Sequence, residues 1–266
     1  MLGPALHSTT ERSKVTGVLL FDETAVRAIL LDIEGTTTPA DFVTTTLFPY
    51  ARRKLETFLR ENSANPEIRA LLEDLRAQHQ CDERSGLKPP RWPDGSKEEQ
   101  LRACAAYGQW LIARDSKCTP LKALQGKIWH EGYARGELQG EVYPDVPPAF
   151  ERWKRQGKKI CIYSSGSVLA QLLLFGSVAT GDLTPYIASF FDTHVGAKTE
   201  EESYRRIGAS AGYEPTQFLF LSDAGKEIEA ARAAGMQALL CRREGTSSAA
   251  AGVVHAIHNF NDIFPE

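Results

Sequence analysis

Leu30-Leu31-Asp32-Ile33-Glu34-Gly35-Thr36-Thr37-Thr38-Pro39 decides how the rest of the chain is read. Upstream lies Val26-Arg27-Ala28-Ile29, so a short apolar run rich in strand formers stops abruptly at a polar loop that opens with two carboxylates. A buried strand ending in a functional loop is the pattern this predicts. Similar apolar runs recur at residues 159–163, followed by Ser164-Ser165-Gly166-Ser167; at 187–191; at 217–221, followed by Ser222-Asp223; and at 237–241. Helical patterns at 146–156, 168–175, 200–211 and 226–234 lie between or beside them. Strand and helix therefore alternate, which predicts an α/β fold built on a doubly wound parallel sheet. Such sheets bind ligands beyond the carboxyl ends of their strands.

From about residue 44 to residue 137 the pattern changes to helices without a convincing strand, expected at 44–60, 66–80, 97–112 and 120–134. Three prolines and a glycine make 87–95 a loop. The expected organisation is a catalytic core of 21–43 and 142–266, an inserted helical cap of 44–141 over the sheet's active edge, and a flexible N-terminal extension of 1–20. The small residues of 245–252 read as a mobile surface loop.

The 266 residues suffice for one core with a smaller second unit. A net charge of -3 leaves no cationic excess to hold a polyanion, so nucleic acid is not expected as a partner. Five cysteines without a CxxC pair fit a reducing cytoplasm, and no apolar stretch of about 18 residues or signal-peptide pattern points to a membrane or to export.

Asp32 and Glu34 stand at i and i+2 directly after the first strand. A carboxylate can attack a phosphate ester when a cation screens the charges, and a second carboxyl can protonate the leaving oxygen. Taken alone the pair reads as well as loop polar groups, with Thr36, Thr37 or Thr38 capping a helix near Pro39. Three further strand ends shift the balance. Ser164 and Ser165 offer hydroxyls and free N–H groups before a helix, which suits a phosphate, although a helix cap would look the same. Lys198 stands where an ammonium can neutralise phosphate and hold Asp32 ionised. Asp223 adds the oxygen ligand that a hard cation such as Mg²⁺ requires, or else an N-cap. Parallel packing would bring all four strand ends to one edge.

The order Asp-x-Glu, Ser, Lys, Asp resembles the four motifs of the haloacid dehalogenase superfamily. The surrounding strings are similar to the enolase-phosphatases of methionine salvage: Leu47-Phe48-Pro49-Tyr50-Ala51, Gln125-Gly126-Lys127-Ile128-Trp129, Val142-Tyr143-Pro144-Asp145-Val146, Ile162-Tyr163-Ser164-Ser165-Gly166-Ser167 and Phe218-Leu219-Phe220-Leu221-Ser222-Asp223. The likeness covers roughly residues 26–242, and Glu34 is its diagnostic position, because most phosphatases of the superfamily carry Asp there. The resemblance implies a haloacid dehalogenase-like Rossmannoid core. Asp32 would be nucleophile and Mg²⁺ ligand, Glu34 a ligand through its backbone carbonyl, and Asp223 the side-chain metal ligand. Ser164, Ser165 and Lys198 would hold the substrate. The implied reaction is enolisation of 2,3-diketo-5-methylthiopentyl 1-phosphate, with Glu34 or a cap residue involved, then dephosphorylation to the acireductone; a monomer is implied as well.

Two departures stand out: Ser177 replaces a frequent His, where it would alter substrate contacts near the cap, and Ala224-Gly225-Lys226 replaces a more apolar or acidic stretch. Trp110, Trp129 and Tyr133 read as packing before substrate contact. Lys127 reads equally as a substrate contact, and His255 and His258 as surface or packing residues. A general sugar- or glycolate-phosphate phosphatase, or a non-catalytic binding protein that retains the fold, are the alternatives.

Overall fold

The computed structural model describes residues 21–243 and 256–265. The expected N-terminal extension, the expected 245–252 loop and His255 lie outside them. Six strands form one sheet in the order β3-β2-β1-β4-β5-β6, and every neighbouring pair is parallel. They are β1 (Ala28–Leu31), β2 (Lys159–Tyr163), β3 (Ile187–Phe191), β4 (Phe218–Ser222), β5 (Gln237–Cys241) and β6 (Ala256–Ile257). The last, a two-residue edge strand, has no signal in the sequence, being too short to show a period. β1 runs in register with both neighbours, Leu31 opposite Ile162 of β2 and Leu221 of β4. The chain leaves β1 toward β2 and β3 and returns to β4, so the topological switch, where such sheets bind ligands, falls beside β1.

Alternate residues of each strand enter separate cores. Ile29, Leu31, Ile160, Ile162, Leu219 and Leu221 face one cluster, while Ala28, Leu30, Cys161, Tyr163, Phe218 and Phe220 face another. The first is covered by α5 (Val146–Arg155) and α6 (Val168–Gly176), through Phe150, Trp153 and Phe175. Tyr204 and Ile207 of α7 (Glu201–Ala211) and Ile228 of α8 (Gly225–Ala233) cover the second. Burial on both faces explains why these strands read as continuous apolar runs.

Between β1 and α5 the long elements are helices: α1 (Phe48–Glu61), α2 (Pro66–Arg84), α3 (Lys97–Ala113) and α4 (Thr119–Ala134). Local chemistry sets their starts. Asn65 caps α2 with Pro66 in its first turn, and Ser96 with Glu99 forms a capping box on α3. The expected helix at 44–60 is corrected at its beginning, where Val43–Leu47 is a single π-helical stretch leading into α1. Thr44 and Thr45 hydroxyls donate to the Asp41 carbonyl there, a side-chain competition that propensity alone does not reveal. The loop at 87–95 is irregular as expected, and His79 and Gln100 bind the carbonyls of Pro90 and Pro93 at 2.7 Å each.

Candidate active site

Asp32 follows β1 directly, its own N–H still donating to Leu221 of β4 at 3.0 Å, so the sheet fixes where its carboxylate starts. The side chain is 5% exposed. Its Oδ1 accepts from the Ile33 N–H at 2.7 Å and from the Lys198 ammonium at 2.5 Å; its Oδ2 faces the Ser222 hydroxyl at 3.2 Å. Lys198 also pairs with Glu227 at 2.7 Å, and Ser222 reaches Glu227 at 2.9 Å. Lys198 is thus held by two carboxylates and is 11% exposed in its side chain. Its carbonyl accepts from Tyr204 Oη at 2.7 Å, which anchors the loop before α7.

Burial alone would discharge Lys198, but the facing carboxylates of Asp32 and Glu227 outweigh it and raise its pKa, keeping the ammonium charged. On the acidic side the balance is opposite. Burial, then repulsion from Asp32, pushes Asp223 up to about 6 and Glu227 up to about 7. Burial and Asp32 also raise Glu34. The pocket thus holds more buried negative charge than Lys198 offsets.

The loop after β1 is held tightly. Thr37 and Thr38 N–H groups donate to the Ile33 carbonyl, and Gly35, at φ +72°, packs against the Asp223 carboxylate, where a Cβ would overlap it. The helical stretch nearest Pro39 begins at Val43 with Phe42 at its N-cap and no side-chain cap; the Thr37 hydroxyl donates to the Asp32 and Ile33 carbonyls, and the buried hydroxyls of Thr36 and Thr38 find no partner among the described residues, so the capping explanation of these threonines fails. Asp223 is not an N-cap either, because that position of α8 is Ala224, with no side-chain cap. For Ser167 the plainer explanation holds: its hydroxyl accepts from the Ala170 N–H and caps α6. Asp192 Oδ2 accepts from the Val168 N–H, and Gln171 binds the carbonyls of Gly166 and Phe191, so the Ser164–Ser167 loop is fixed from two sides.

A cleft of about 740 Å³, counting its open mouth, runs between this loop and α4. Glu34, Ser164 and Ser165 line it; Asp32, Lys198 and Asp223 do not, and Asp32 joins it through Ile33 and Glu34, the residues that follow. On the helical side Lys117, Lys122, Gln125 and Trp129 contribute. Lys127 is a correction to the sequence reading: it turns away to Glu67 at 2.8 Å. Lys122, Gln125 and Trp129 recur at helical spacing on one face of α4, a signal that a count of basic residues misses. Trp129 has both roles, 8% exposed and on the cleft wall, whereas Trp110 and Tyr133 do not line it. Ser177 ends α6, at the opposite end from Ser167, and is no part of the lining, so an effect on substrate contacts does not follow. His258 is exposed, and its ring Nδ1–H donates to the Arg242 carbonyl, 2.9 Å away.

Arg243 is another residue the sequence did not single out. It is 5% exposed, donates twice to the Thr36 carbonyl at 2.9 and 2.6 Å, and pairs with Asp145 at 2.7 Å. A lone arginine after a strand carries no signal until the loop it braces is seen.

A buried carboxylate held by a lysine, a second carboxylate after the strand across the switch point, and a hydroxyl-lined loop before a helix make a phosphoryl-transfer edge. Its class agrees with comparison: the haloacid dehalogenase-like hydrolase family model matches residues 26–235, and the chain belongs to that family. Within it, the relatives are enolase-phosphatases. Enolase-phosphatase E1 of Synechococcus elongatus is 46% identical over 90% of this chain and 98% of its own length, and that of Drosophila melanogaster is 44% identical over 86% and 88%. The chain therefore belongs to the enolase-phosphatase family. Among solved structures, the UTR4 protein of Saccharomyces cerevisiae superposes with a TM-score of 0.72 at 33% identity, covering 90% of this chain and all of that one. CbbY from Rhodobacter sphaeroides, at 17% identity and a TM-score of 0.53, shares the fold.

Proposed function

We propose that this enzyme converts 2,3-diketo-5-methylthiopentyl 1-phosphate into the acireductone 1,2-dihydroxy-3-keto-5-methylthiopentene and phosphate, by enolisation followed by transfer of the phosphoryl group to Asp32. The observation that carries the reading is the Lys198–Asp32 pair at the switch point of a sheet whose chain is 46% identical to a protein named enolase-phosphatase. Asp32 is the nucleophile. Lys198 holds its carboxylate in place and offsets charge as the phosphoryl group arrives. Ser164 and Ser165, with the N–H groups before α6, take the phosphate oxygens. Glu34 faces the cleft, and its raised pKa suits a group that protonates the leaving oxygen.

The donor set fits Mg²⁺. Among the described residues no group of three or more His, Cys, Asp or Glu side chains is arranged for a metal, so the ligands proposed are fewer side chains with a backbone oxygen. Asp32 and Asp223 would supply the carboxylates and Glu34 its backbone carbonyl. Their excess buried negative charge is what a hard cation with oxygen ligands relieves. Bound there, Mg²⁺ would screen the phosphate from the attacking carboxylate.

The helical segment 44–141 is read as a cap on a core of 21–43 and 142–266, supported by the cleft between α4 and the Ser164–Ser167 loop. The protein is read as cytoplasmic, in keeping with its five free cysteines, and as a monomer on the family resemblance; among the described residues no helix is long and apolar enough to cross a membrane. Turnover of the diketo phosphate with Mg²⁺ and with excess chelator tests the activity. Phosphate and the acireductone absorbance should rise together and only with the metal. Phosphate without acireductone would leave a general phosphatase.

A further inference from the structure

Three side chains of α4 take no part in the chemistry assigned to Asp32, yet share its cleft. Lys122, Gln125 and Trp129 are spaced three and four residues apart, so they form one stripe along the helix. The cations nearby are otherwise engaged: Lys198 with Asp32 and Glu227, Lys117 with Asp115, Lys127 with Glu67. Lys122 donates to the Ser165 carbonyl at 2.9 Å and has no carboxylate partner among the described residues. Gln125 is 4% exposed, and its amide is engaged by no described residue. Trp129 spends its N–H on the Leu47 carbonyl at 2.9 Å and stacks on Phe48 at 6.5 Å, presenting apolar surface beside Val43 and Leu47.

Along this stripe the chemistry changes from ammonium, to amide, to indole. The end carrying Lys122 is the end at Ser165, where the phosphate is assigned. From Lys122 to Trp129 the helix rises about 10 Å, and the seven bonds from phosphorus to sulfur in the diketo phosphate span about 9 Å extended. We propose that this face of α4 is the specificity gauge of the enzyme: Lys122 and Gln125 donate to the two adjacent carbonyl oxygens of the substrate, and Trp129 with Phe48 and Leu47 encloses its thioether tail. The proposal rests on the enolase-phosphatase reading, because that substrate carries phosphate, vicinal dicarbonyl and thioether in this order. A simple alkyl phosphate leaves both donors facing carbon, which a site built for hydrogen bonding rejects strongly. A thioether against an aromatic wall is a favourable contact.

The test is the ratio of kcat/KM for the diketo phosphate to kcat/KM for pentyl phosphate, which lacks carbonyls and sulfur. Lys122→Met should lower that ratio about 100-fold, the scale for losing one donor to an oxygen that gains charge. Lys122→Arg should recover part of it. Gln125→Leu, of similar size, reads the same ratio on a second position should the first variant fold poorly. Equal losses on both substrates in Lys122→Met would overturn the gauge, since Lys122 would then only brace the Ser165 loop. An unchanged ratio would overturn it too. Wild-type enzyme that hydrolyses pentyl phosphate but not the diketo phosphate would sink the functional reading and the gauge with it, whereas normal diketo phosphate turnover with an unaltered variant ratio sinks the gauge alone.

Discussion

Asp192 shows how a residue far from the reaction can still govern the phosphate loop. Burial alone would raise its carboxyl, but the backbone N–H and ring of His194 and the Val168 N–H outweigh it, so the pKa falls below the ordinary 3.8. A depressed folded value means that the stabilisation is present above about pH 3.8 and is lost as pH falls through the lower folded value. Asp192→Asn should therefore cost about 1.5–3 kcal/mol at pH 7, the scale of hydrogen bonds to a charged acceptor, and progressively less as pH falls below about 3.8. Urea melts of both proteins across that range check this; a deficit that stays constant with pH would contradict it. At Gly35 the backbone is the constraint. Gly35→Ala puts a Cβ onto the Asp223 carboxylate at a φ of +72°, so activity and apparent Mg²⁺ affinity should fall while the sheet still folds. Activation curves against Mg²⁺ concentration would show the shift. Asp32, Glu34 and Asp223 were picked out because they stand just after apolar runs, and Lys198 because it lies in the loop between the third run and the next helix. Glu227 and Arg243 were not read as parts of the site from position alone, since a helix residue and a lone arginine acquire a partner only through folding.

At the scale of elements, the parallel strands were legible almost to the residue, because burial on both faces leaves a continuous apolar run that stops where the loop begins. The two-residue β6 and the π-helical Val43–Leu47 were not: neither is long enough to impose a period, and both are set by tertiary neighbours. The face of α4 was equally hidden. Lys127 and Lys122 look alike in the sequence, and the 3.6-residue turn alone sends one to Glu67 and the other to the Ser165 carbonyl. Arg243 joins elements in a way that can be measured. It ties the loop after β1 to Asp145 at the start of α5, and Tyr143 and Phe260 rings lie 4.4 Å from the guanidinium. Arg243→Met would leave the Asp145 carboxylate with the Phe260 N–H but no counter-charge, and a loss of about 3 kcal/mol is expected by urea denaturation, as for other buried pairs broken on one side. A loss under 1 kcal/mol would mean that the brace is dispensable.

For the molecule as a whole, one sheet carries Asp32 and Asp223 directly after neighbouring strands, with Lys198 in the loop after β3, and a helical segment between the first strand and α5 forms one wall of the adjoining cleft. The groups assigned to the proposed reaction all belong to one chain, and a monomer is the reading proposed. Sedimentation at micromolar concentration should accordingly give the mass of a single 266-residue chain, with activity per chain independent of dilution; activity lost on dilution would point to a shared site. The central claim is that Asp32 takes the phosphoryl group. Quenching turnover of the diketo phosphate in acid and reducing with borohydride converts an aspartyl phosphate to homoserine, which peptide mass spectrometry can place. Homoserine at position 32, absent when Asp32→Asn is used and accompanied there by a loss of at least about 10⁴-fold in kcat, is the predicted result. Homoserine at another position, or an Asp32→Asn enzyme that still turns over at near the wild-type rate, would contradict it.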